Sequence, residues 1–277
     1  MLEHSGAEVI RPQPRWHEKD SVASTFNAAV EQLLPTAPLN VIWAAGVGHT
    51  GATTDLMSAE TAALQSVCDI ITGLPVERRT AMSLLFASSA GALYGGHGDT
   101  AISEGDPPRP ITRYGYEKLA QEALLQDFAE ANGCRVVICR YSNLYGLANG
   151  RVTARGLVST AVRAARLRQP MVVYVGPDTR RDILFSTDAA AESLRLLDSA
   201  HPGVTIALVR DGGTRTVSEI LALVGRVAGR RVPATYAELP ETRLQPKVLR
   251  YTRPPHPMRR TPMEVAIHVM LRSPLAS

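Results

Sequence analysis

The sequence has few aromatic residues and no long apolar run, and each shortage excludes a class of function. Aromatic residues make up only 5 % of the 277 residues, and no basic stripe carries interleaved aromatic side chains, so we expect no nucleic-acid partner. Apolar residues make up 45 %, but no run of them approaches the roughly eighteen residues that a membrane-spanning helix needs. We therefore expect no membrane role either.

Cysteines are also scarce. Cys68, Cys134 and Cys139 are an odd number without the spacing of a metal site, so we expect buried free thiols and no bound metal. The N-terminus does not combine a basic segment, an apolar core and a small-residue cleavage site, which are the marks of a secreted chain. These features predict a cytoplasmic protein.

The positive charge comes mostly from arginine. The net charge is +4, and Lys19, Lys118 and Lys247 are the only lysines. Because guanidinium groups pair well with planar anions, a phosphate-bearing ligand is one interpretation. An arginine-rich solvated surface that reflects composition bias is the other, and composition leaves both open.

Apolar runs of strand length alternate with helical segments through the first half of the sequence. The predicted strands are AEVI, LNVIWAAG, SLLFASS and RVVICR, and the predicted helices are DSVASTFNAAVEQLL, SAETAALQSVCDII and residues 114–132. Strands that are apolar throughout and alternate with helices are typical of a parallel sheet covered on both faces. The sequence therefore predicts an α/β fold with a doubly wound parallel sheet.

The pattern is less regular beyond Gly146. Predicted helices lie near residues 153–167, 188–197 and 217–229, with short strands at MVVYV, DILFS and VTIALV. A proline-rich stretch then leads to a short helix at residues 263–271. We predict one domain over residues 1–146 and a second over residues 147–277, with some elements of the second returning to the main sheet.

Tyr114 and Lys118 lie four residues apart on a predicted helix, so both side chains face the same side. An ammonium group near a phenol favours the phenolate and lowers the pKa of tyrosine from its usual value of about 10. Such a tyrosine is a usable proton donor or acceptor. A solvated pair on a surface helix is the alternative interpretation.

Several segments in a fixed order resemble the extended short-chain dehydrogenases/reductases, in particular NAD(P)-dependent epimerases and dehydratases similar to UDP-galactose 4-epimerase. FASSAGALYG resembles the loop that carries the catalytic Ser or Thr, and YGYEKLAQE resembles the catalytic helix. RYSNLYG and RDILFSTD resemble two substrate-binding stretches, and WAAG resembles the strand end that lines the cofactor. The resemblance extends over most of the chain.

The resemblance implies that residues 1–146 form a Rossmann-like NAD(P)-binding domain and that residues 147–277 mainly bind substrate. It implies an epimerase, dehydratase or ketoreductase that acts on a nucleotide-linked sugar, with hydride transfer to or from nicotinamide. Family members often dimerise through the helix that carries the tyrosine, so a homodimer is expected by analogy.

Residue roles in catalysis and cofactor binding come from the same resemblance. Tyr114 is expected to be the general acid/base, and Lys118 the partner that lowers its pKa and holds the nicotinamide ribose. Ala44, Ala45 and Gly46 are expected to line the cofactor.

The resemblance also predicts two substrate contacts, but the position of the family's catalytic hydroxyl does not match. Asn143 and Arg181 are expected to contact the substrate, Arg181 at its diphosphate. The alternatives are a turn cap for Asn143 and an ion pair with Asp182 for Arg181. Ala90 stands where the family has its catalytic hydroxyl, so Ser89 takes that role only if the loop is shifted, and it otherwise ties down the loop backbone.

The glycine-rich turn with which the family opens has no match at the start of this sequence. Family members begin with a strand, a Gly-x-x-Gly-x-x-Gly turn and a helix whose N-terminus receives the cofactor pyrophosphate. MLEHSGAEVI instead resembles the end of that helix and the second strand, which predicts that Met1 lies inside a longer reading frame. The alternative to an enzyme is therefore a degenerate homologue that binds a ligand or partner without turnover.

A literal Gly-x-Gly-x-x-Gly runs from Gly46 to Gly51, with Asp69 downstream. If this segment were the family's opening glycine turn, only about two strand–helix units would separate it from Tyr114. We therefore favour the interpretation that it is a loop that lines the cofactor farther along the sheet. Arg11 follows the predicted second strand, where an acidic residue favours NAD and an arginine favours the 2′-phosphate of NADP. The cofactor is NAD or NADP, and Arg11 favours NADP.

Overall fold

The computed structural model describes residues 8–15, 18–33, 39–46, 54–98, 100–237, 248–252, 254 and 259–276. The chain divides into two compact units. The first comprises Met1–Leu93, Pro110–Arg140 and Ser193–Ala207, and the second comprises Tyr94–Arg109, Tyr141–Glu192 and Leu208–Ser277. The predicted domain boundary at residue 146 does not coincide with the division into these units, because each unit takes segments from both halves of the chain.

Helices and strands alternate along most of the described chain. The helices are α1 (Lys19–Leu33), α2 (Thr54–Thr72), α3 (Val76–Ala81), α4 (Ala90–Leu93), α5 (Arg113–Asn132), α6 (Leu157–Leu167), α7 (Ser186–Asp198), α8 (Val217–Ala228) and α9 (Met263–Arg272). The strands are β1 (Asn40–Trp43), β2 (Ser83–Ser89), β3 (Arg135–Tyr141), β4 (Asn143–Tyr145), β5 (Met171–Val173), β6 (Arg180–Phe185), β7 (Gly203–Val209), β8 (Thr214–Thr216), β9 (Ala234–Tyr236) and β10 (Val248–Leu249).

The first unit is built on a sheet whose strand order is β1-β2-β3-β7. β1 and β2 are parallel, with Asn40 opposite Ser83 and Trp43 opposite Phe86. Helix α2 packs against α1 and α5, and α5 also packs against β2. Leu64 on α2 and Ile138 on β3 are among the fully buried side chains of this core. The parallel sheet with flanking helices confirms the predicted Rossmann-like α/β fold.

The second unit contains shorter strands. β4 and β10 flank β6 in parallel, β8 pairs with β6 antiparallel, and β5 pairs with β9 in parallel. Helices α6, α8 and α9 pack together, with Val162, Ile220 and Ile267 fully buried between them. A capping box between Thr216 and Glu219 fixes the start of α8.

Most predicted elements are present, and the differences concern short segments. The predicted strand AEVI is wrong for residues 8–10, which have no regular structure because they pair with no strand among the described residues. Helix α6 begins at Leu157, later than predicted. Six short elements were not predicted, namely α3, α4, β4, β8, β9 and β10. They have two to six residues, which is too short for a periodic pattern to be recognised.

The three cysteines are buried and form no disulfide, as predicted. Burial raises the pKa of the Cys68 thiol to about 12. In the part of the chain that the structure describes, no helix is long and apolar enough to cross a membrane.

Candidate active site

Helix α5 brings Tyr114 and Lys118 together in the first unit. Its N-cap Thr112 accepts a hydrogen bond from the Gly115 amide at 3.2 Å. A Cβ on Gly115 would lie 2.4 Å from the Ala92 carbonyl oxygen, so only glycine allows this first turn to approach α4 so closely. The Lys118 Nζ lies 5.9 Å from the centroid of the Tyr114 ring.

Ser89, rather than its neighbours, reaches Tyr114. Ser89 ends β2, makes a side-chain hydrogen bond with Tyr114, and accepts one from the Ala92 amide at 3.3 Å. Ser88 points elsewhere and donates to the Glu122 carboxylate at 2.6 Å. Ala90 is buried at the start of α4. The short helix α4 begins directly after Ser89, and this turn leaves the Ser89 hydroxyl near the phenol.

Glu60 is a site residue that was not predicted from the sequence. The Lys118 Nζ donates to the Glu60 Oε1 at 2.8 Å and to the Gln121 Oε1 at 3.0 Å. The side chains of Lys118 and Glu60 are only 6 % and 5 % exposed, so the ion pair is buried. Glu60 lies at helical spacing from the buried residues Met57, Leu64 and Val67. This position on the apolar face of α2 is the sequence signal that it is buried.

The pKa of Tyr114 is raised above its usual value, and the predicted lowering effect of Lys118 on it stays a prediction. Burial is the main cause of the rise, the negative charge of Glu60 adds to it, and the hydrogen bond with Ser89 acts in the opposite direction. The Lys118 ammonium is paired with a carboxylate, and this pairing offsets the field that a lone ammonium would exert on the phenol.

The predicted cofactor-lining residues follow β1 at the carboxyl end of the parallel strands. Ala44 and Gly46 are exposed and Ala45 is half-buried. A Cβ on Gly46 would lie 3.0 Å from both carboxylate oxygens of Glu60, so this backbone lies directly against the ion pair. The carboxyl ends of parallel strands are the usual ligand edge of such sheets.

Two other predictions about the cofactor stay open. Most of the Gly-x-Gly-x-x-Gly segment, residues 47–51, lies outside the described residues. Arg11 lies in an irregular, exposed segment ahead of α1.

The second unit brings Asn143 and Arg181 to one cavity of about 790 Å³. Asn143 on β4 pairs in register with Ile183 on β6, and its Nδ2 donates to the Asp182 carbonyl oxygen at 3.2 Å. Burial lowers the pKa of Arg181. The Asp182 carboxylate accepts hydrogen bonds from the amides of Asp211 and Gly212. Further lining residues include Arg163, Met171, Val173 and Tyr174.

Comparisons with known proteins agree with this architecture. The model of the NAD dependent epimerase/dehydratase family matches residues 4–207. A UDP-glucose 4-epimerase of Azospirillum brasilense is 33 % identical over 176 residues, which cover 58 % of this chain and 50 % of that protein. A UDP-glucose 4-epimerase of Streptomyces lividans is 30 % identical over 166 residues, which cover 56 % of this chain and 50 % of that protein.

Among solved structures, UDP-glucose 4-epimerase from Brucella ovis in complex with NAD superposes with a TM-score of 0.71 and 25 % identity. The match covers 91 % of this chain and 82 % of that chain. The chain spans about half the length of the curated relatives it matches. The family model covers well over half of the sequence, and the chain therefore belongs to the NAD dependent epimerase/dehydratase family.

Proposed function

We propose that the protein is an NAD(P)-dependent enzyme that epimerises, dehydrates or reduces a nucleotide-linked sugar. The observation that carries the proposal is the convergence of Tyr114, Lys118 and Ser89 near the carboxyl ends of β1 and β2. An acid, an ammonium and a hydroxyl in one buried cluster suit proton transfer at a sugar oxygen. UDP-glucose 4-epimerases are among the relatives, which supports a sugar nucleotide as substrate.

A nicotinamide cofactor fits the first unit beside this cluster. Gly46 leaves its backbone exposed and has no side chain to block a flat ring or a ribose. The described contacts of Lys118 with Glu60 and Gln121 use two of the three ammonium donors, so one remains for a ribose hydroxyl. When bound, the nicotinamide ring supplies the hydride acceptor or donor.

Tyr114 supplies the proton step in this proposal. Its raised pKa means that the phenol keeps its proton at neutral pH and can donate it to a carbonyl oxygen of the sugar. The hydrogen bond from Ser89 orients the phenol and stabilises the phenolate that remains after donation. The reverse step returns the proton to Tyr114.

The cavity of the second unit is the proposed substrate site. Its volume of about 790 Å³ falls within the roughly 300–1,000 Å³ typical of ligand pockets. Arg181 would bind the substrate diphosphate, because guanidinium groups pair with phosphate through several N–H donors. Asn143 would donate to or accept from a hydroxyl of the sugar nucleotide.

Two finer points are also proposals. Arg11 favours the 2′-phosphate of NADP, and replacing it with glutamate should weaken NADP binding more than NAD binding. We further propose a homodimer formed through α5, by analogy with the family. Sedimentation velocity of the full chain tests that assembly.

Kinetics of Tyr114→Phe test the proposed function, with UDP-glucose and both nicotinamide cofactors as probes. We expect at least a hundredfold loss of kcat with little change in ligand binding, because only the transferable proton is removed. Tyr116→Phe is the matched control, since Tyr116 lies two residues away and is 61 % exposed. Binding without turnover by the unaltered chain would instead favour the non-catalytic homologue.

A further inference from the structure

Glu60 lies between helix α5 and the end of β1 in the first unit. Its carboxylate receives a hydrogen bond from Lys118 and lies against the Gly46 backbone. Gln121 bridges the arrangement, because its Nε2 donates to the Thr61 hydroxyl at 3.0 Å and lies 3.4 Å from the Glu60 Oε1. The carboxylate is therefore fixed from α2, α5 and the end of β1.

A carboxylate at this position is hard to explain by stability alone. Glu60 occupies the buried face of α2, where Met57 and Leu64 are apolar. Replacing a buried ion pair with apolar residues of similar volume is often neutral or stabilising, because two charges must be removed from water to form the pair. A charged pair kept in such a place suggests a role in the chemistry of its neighbours.

We propose that Glu60 is a positioning residue whose carboxylate holds the Lys118 ammonium in place and offsets the electric field that this ammonium exerts on Tyr114. The inference rests on the proposed function, because the resting protonation state matters only where Tyr114 transfers a proton. Glu60 itself acts through Lys118 and does not contact the reacting atoms.

Two groups of opposite charge lie near Tyr114. They are Glu60 on α2 and Lys118 on α5. The neighbouring segments contribute the uncharged Ser89 from β2 and the uncharged residues of α4. The raised pKa of Tyr114, with Glu60 as its second cause after burial, agrees with this geometry.

The test is a titration of Tyr114 in the full chain by NMR with ¹³Cζ-labelled tyrosine. The Tyr114 resonance is identified by its loss in Tyr114→Phe. In Glu60→Gln we expect the pKa of Tyr114 to fall by about one pH unit or more, because a negative charge is removed and the ammonium is released toward the phenol. If Tyr114 of the unaltered chain is still protonated at the highest pH at which the chain is folded, that pH is a lower limit for its pKa. The pKa in the variant is then compared with this limit.

Matched variants separate the effect from a general charge change. Glu130→Gln makes the same change on the exposed far end of α5, twelve residues from Lys118, and should leave the titration unchanged. The double variant Glu60→Gln/Lys118→Met removes both charges and so leaves no unpaired buried ion if the single variant fails to fold. We expect the pKa of Tyr114 in the double variant to lie within about half a pH unit of that in the unaltered chain. The reason is that an ion pair with no net charge is replaced by two uncharged side chains.

A Glu60→Gln shift clearly smaller than about one pH unit, or a double-variant shift larger than about half a pH unit, would overturn the role of Glu60. The NMR measurement needs no turnover, so it stays informative if the chain proves inactive on sugar nucleotides. Where the chain is active, the limb of the pH–rate profile due to Tyr114 should move by the same amount as the NMR titration. If the chain is inactive on sugar nucleotides but the pKa of Tyr114 shifts as expected, only the proposed function is contradicted.

Discussion

The two units differ in how they present polar groups. In the first unit, the charged side chains near Tyr114 are buried and bound to one another, as in the pair of Lys118 and Glu60. In the second unit, Asn143 and Arg181 line a wide cavity together with apolar side chains such as Met171. Fixed, desolvated charges suit a chemical step, whereas an open cavity with a few polar groups suits recognition of a larger ligand.

The strongest test of this contrast is Lys118→Met. It leaves the Glu60 carboxylate buried without its cation, which should lower the free energy of unfolding by about 3–5 kcal/mol. Activity should also fall at least a hundredfold, because the proposed donor to the cofactor ribose is lost. Urea denaturation and steady-state kinetics measure the two effects. Adding Glu60→Gln should restore much of the stability without restoring activity, and a rescue of activity would contradict the role of Lys118.

Gly115→Ala tests how closely helix α5, which carries Tyr114, must approach α4. The new methyl group would lie 2.4 Å from the Ala92 carbonyl oxygen, so the start of α5 must move. We expect a loss of about 2–3 kcal/mol in unfolding free energy, together with a lower kcat. Ala123→Gly, at an exposed position of the same helix, is the comparison for the helix itself. An unchanged melting temperature in Gly115→Ala would show that the first turn has room to move.

Arg181→Ala tests the recognition role of the second unit. Loss of a charge-assisted contact to diphosphate should weaken binding of UDP-glucose by about 2 kcal/mol, a factor of about thirty. Binding of the nicotinamide cofactor should not change. Calorimetry with each ligand measures both, and Arg180→Ala is the control because successive side chains on β6 point to opposite faces. Equal losses in the two variants would point to net charge rather than to a specific contact.

The smallest expected effect concerns alkaline stability in the first unit. Burial raises the pKa of Cys68 from 9.0 to about 12, so the folded chain holds the thiol proton more tightly than the unfolded chain does. This contribution to stability is complete below pH 9 and is lost as the pH rises toward 12. The unfolding free energy of the unaltered chain should therefore fall more steeply than that of Cys68→Ala above pH 9. Parallel curves would contradict the raised pKa.

Local patterns in the sequence predicted the long elements well. The apolar run SLLFASS is β2 to the residue, and the predicted helix from Tyr114 to Asn132 starts only one residue late. These elements are long, and their burial follows from their own composition. The three-residue strands β4 and β8 are held by pairing with β6, which no pattern within three residues can indicate.

Site residues were predictable only where a spacing or a resemblance identified them. Tyr114 and Lys118 share one helix, so their proximity follows from helical geometry. Glu60 is separated from Lys118 by 58 residues, and the position of one helix beside the other decides their contact. The spacing along α2 indicates that Glu60 is buried, but it does not identify the cation that accompanies it.

The close contact between Gly46 and Glu60 has an evolutionary consequence. A methyl group added at position 46 would lie 3.0 Å from each carboxylate oxygen, so alanine there would push the carboxylate away from its cation. The two positions are therefore expected to covary among homologues. Homologues with a larger residue at position 46 should carry a shorter side chain, such as Asp, Asn or Ser, at position 60. Homologues that keep glutamate at position 60 should also keep glycine at position 46.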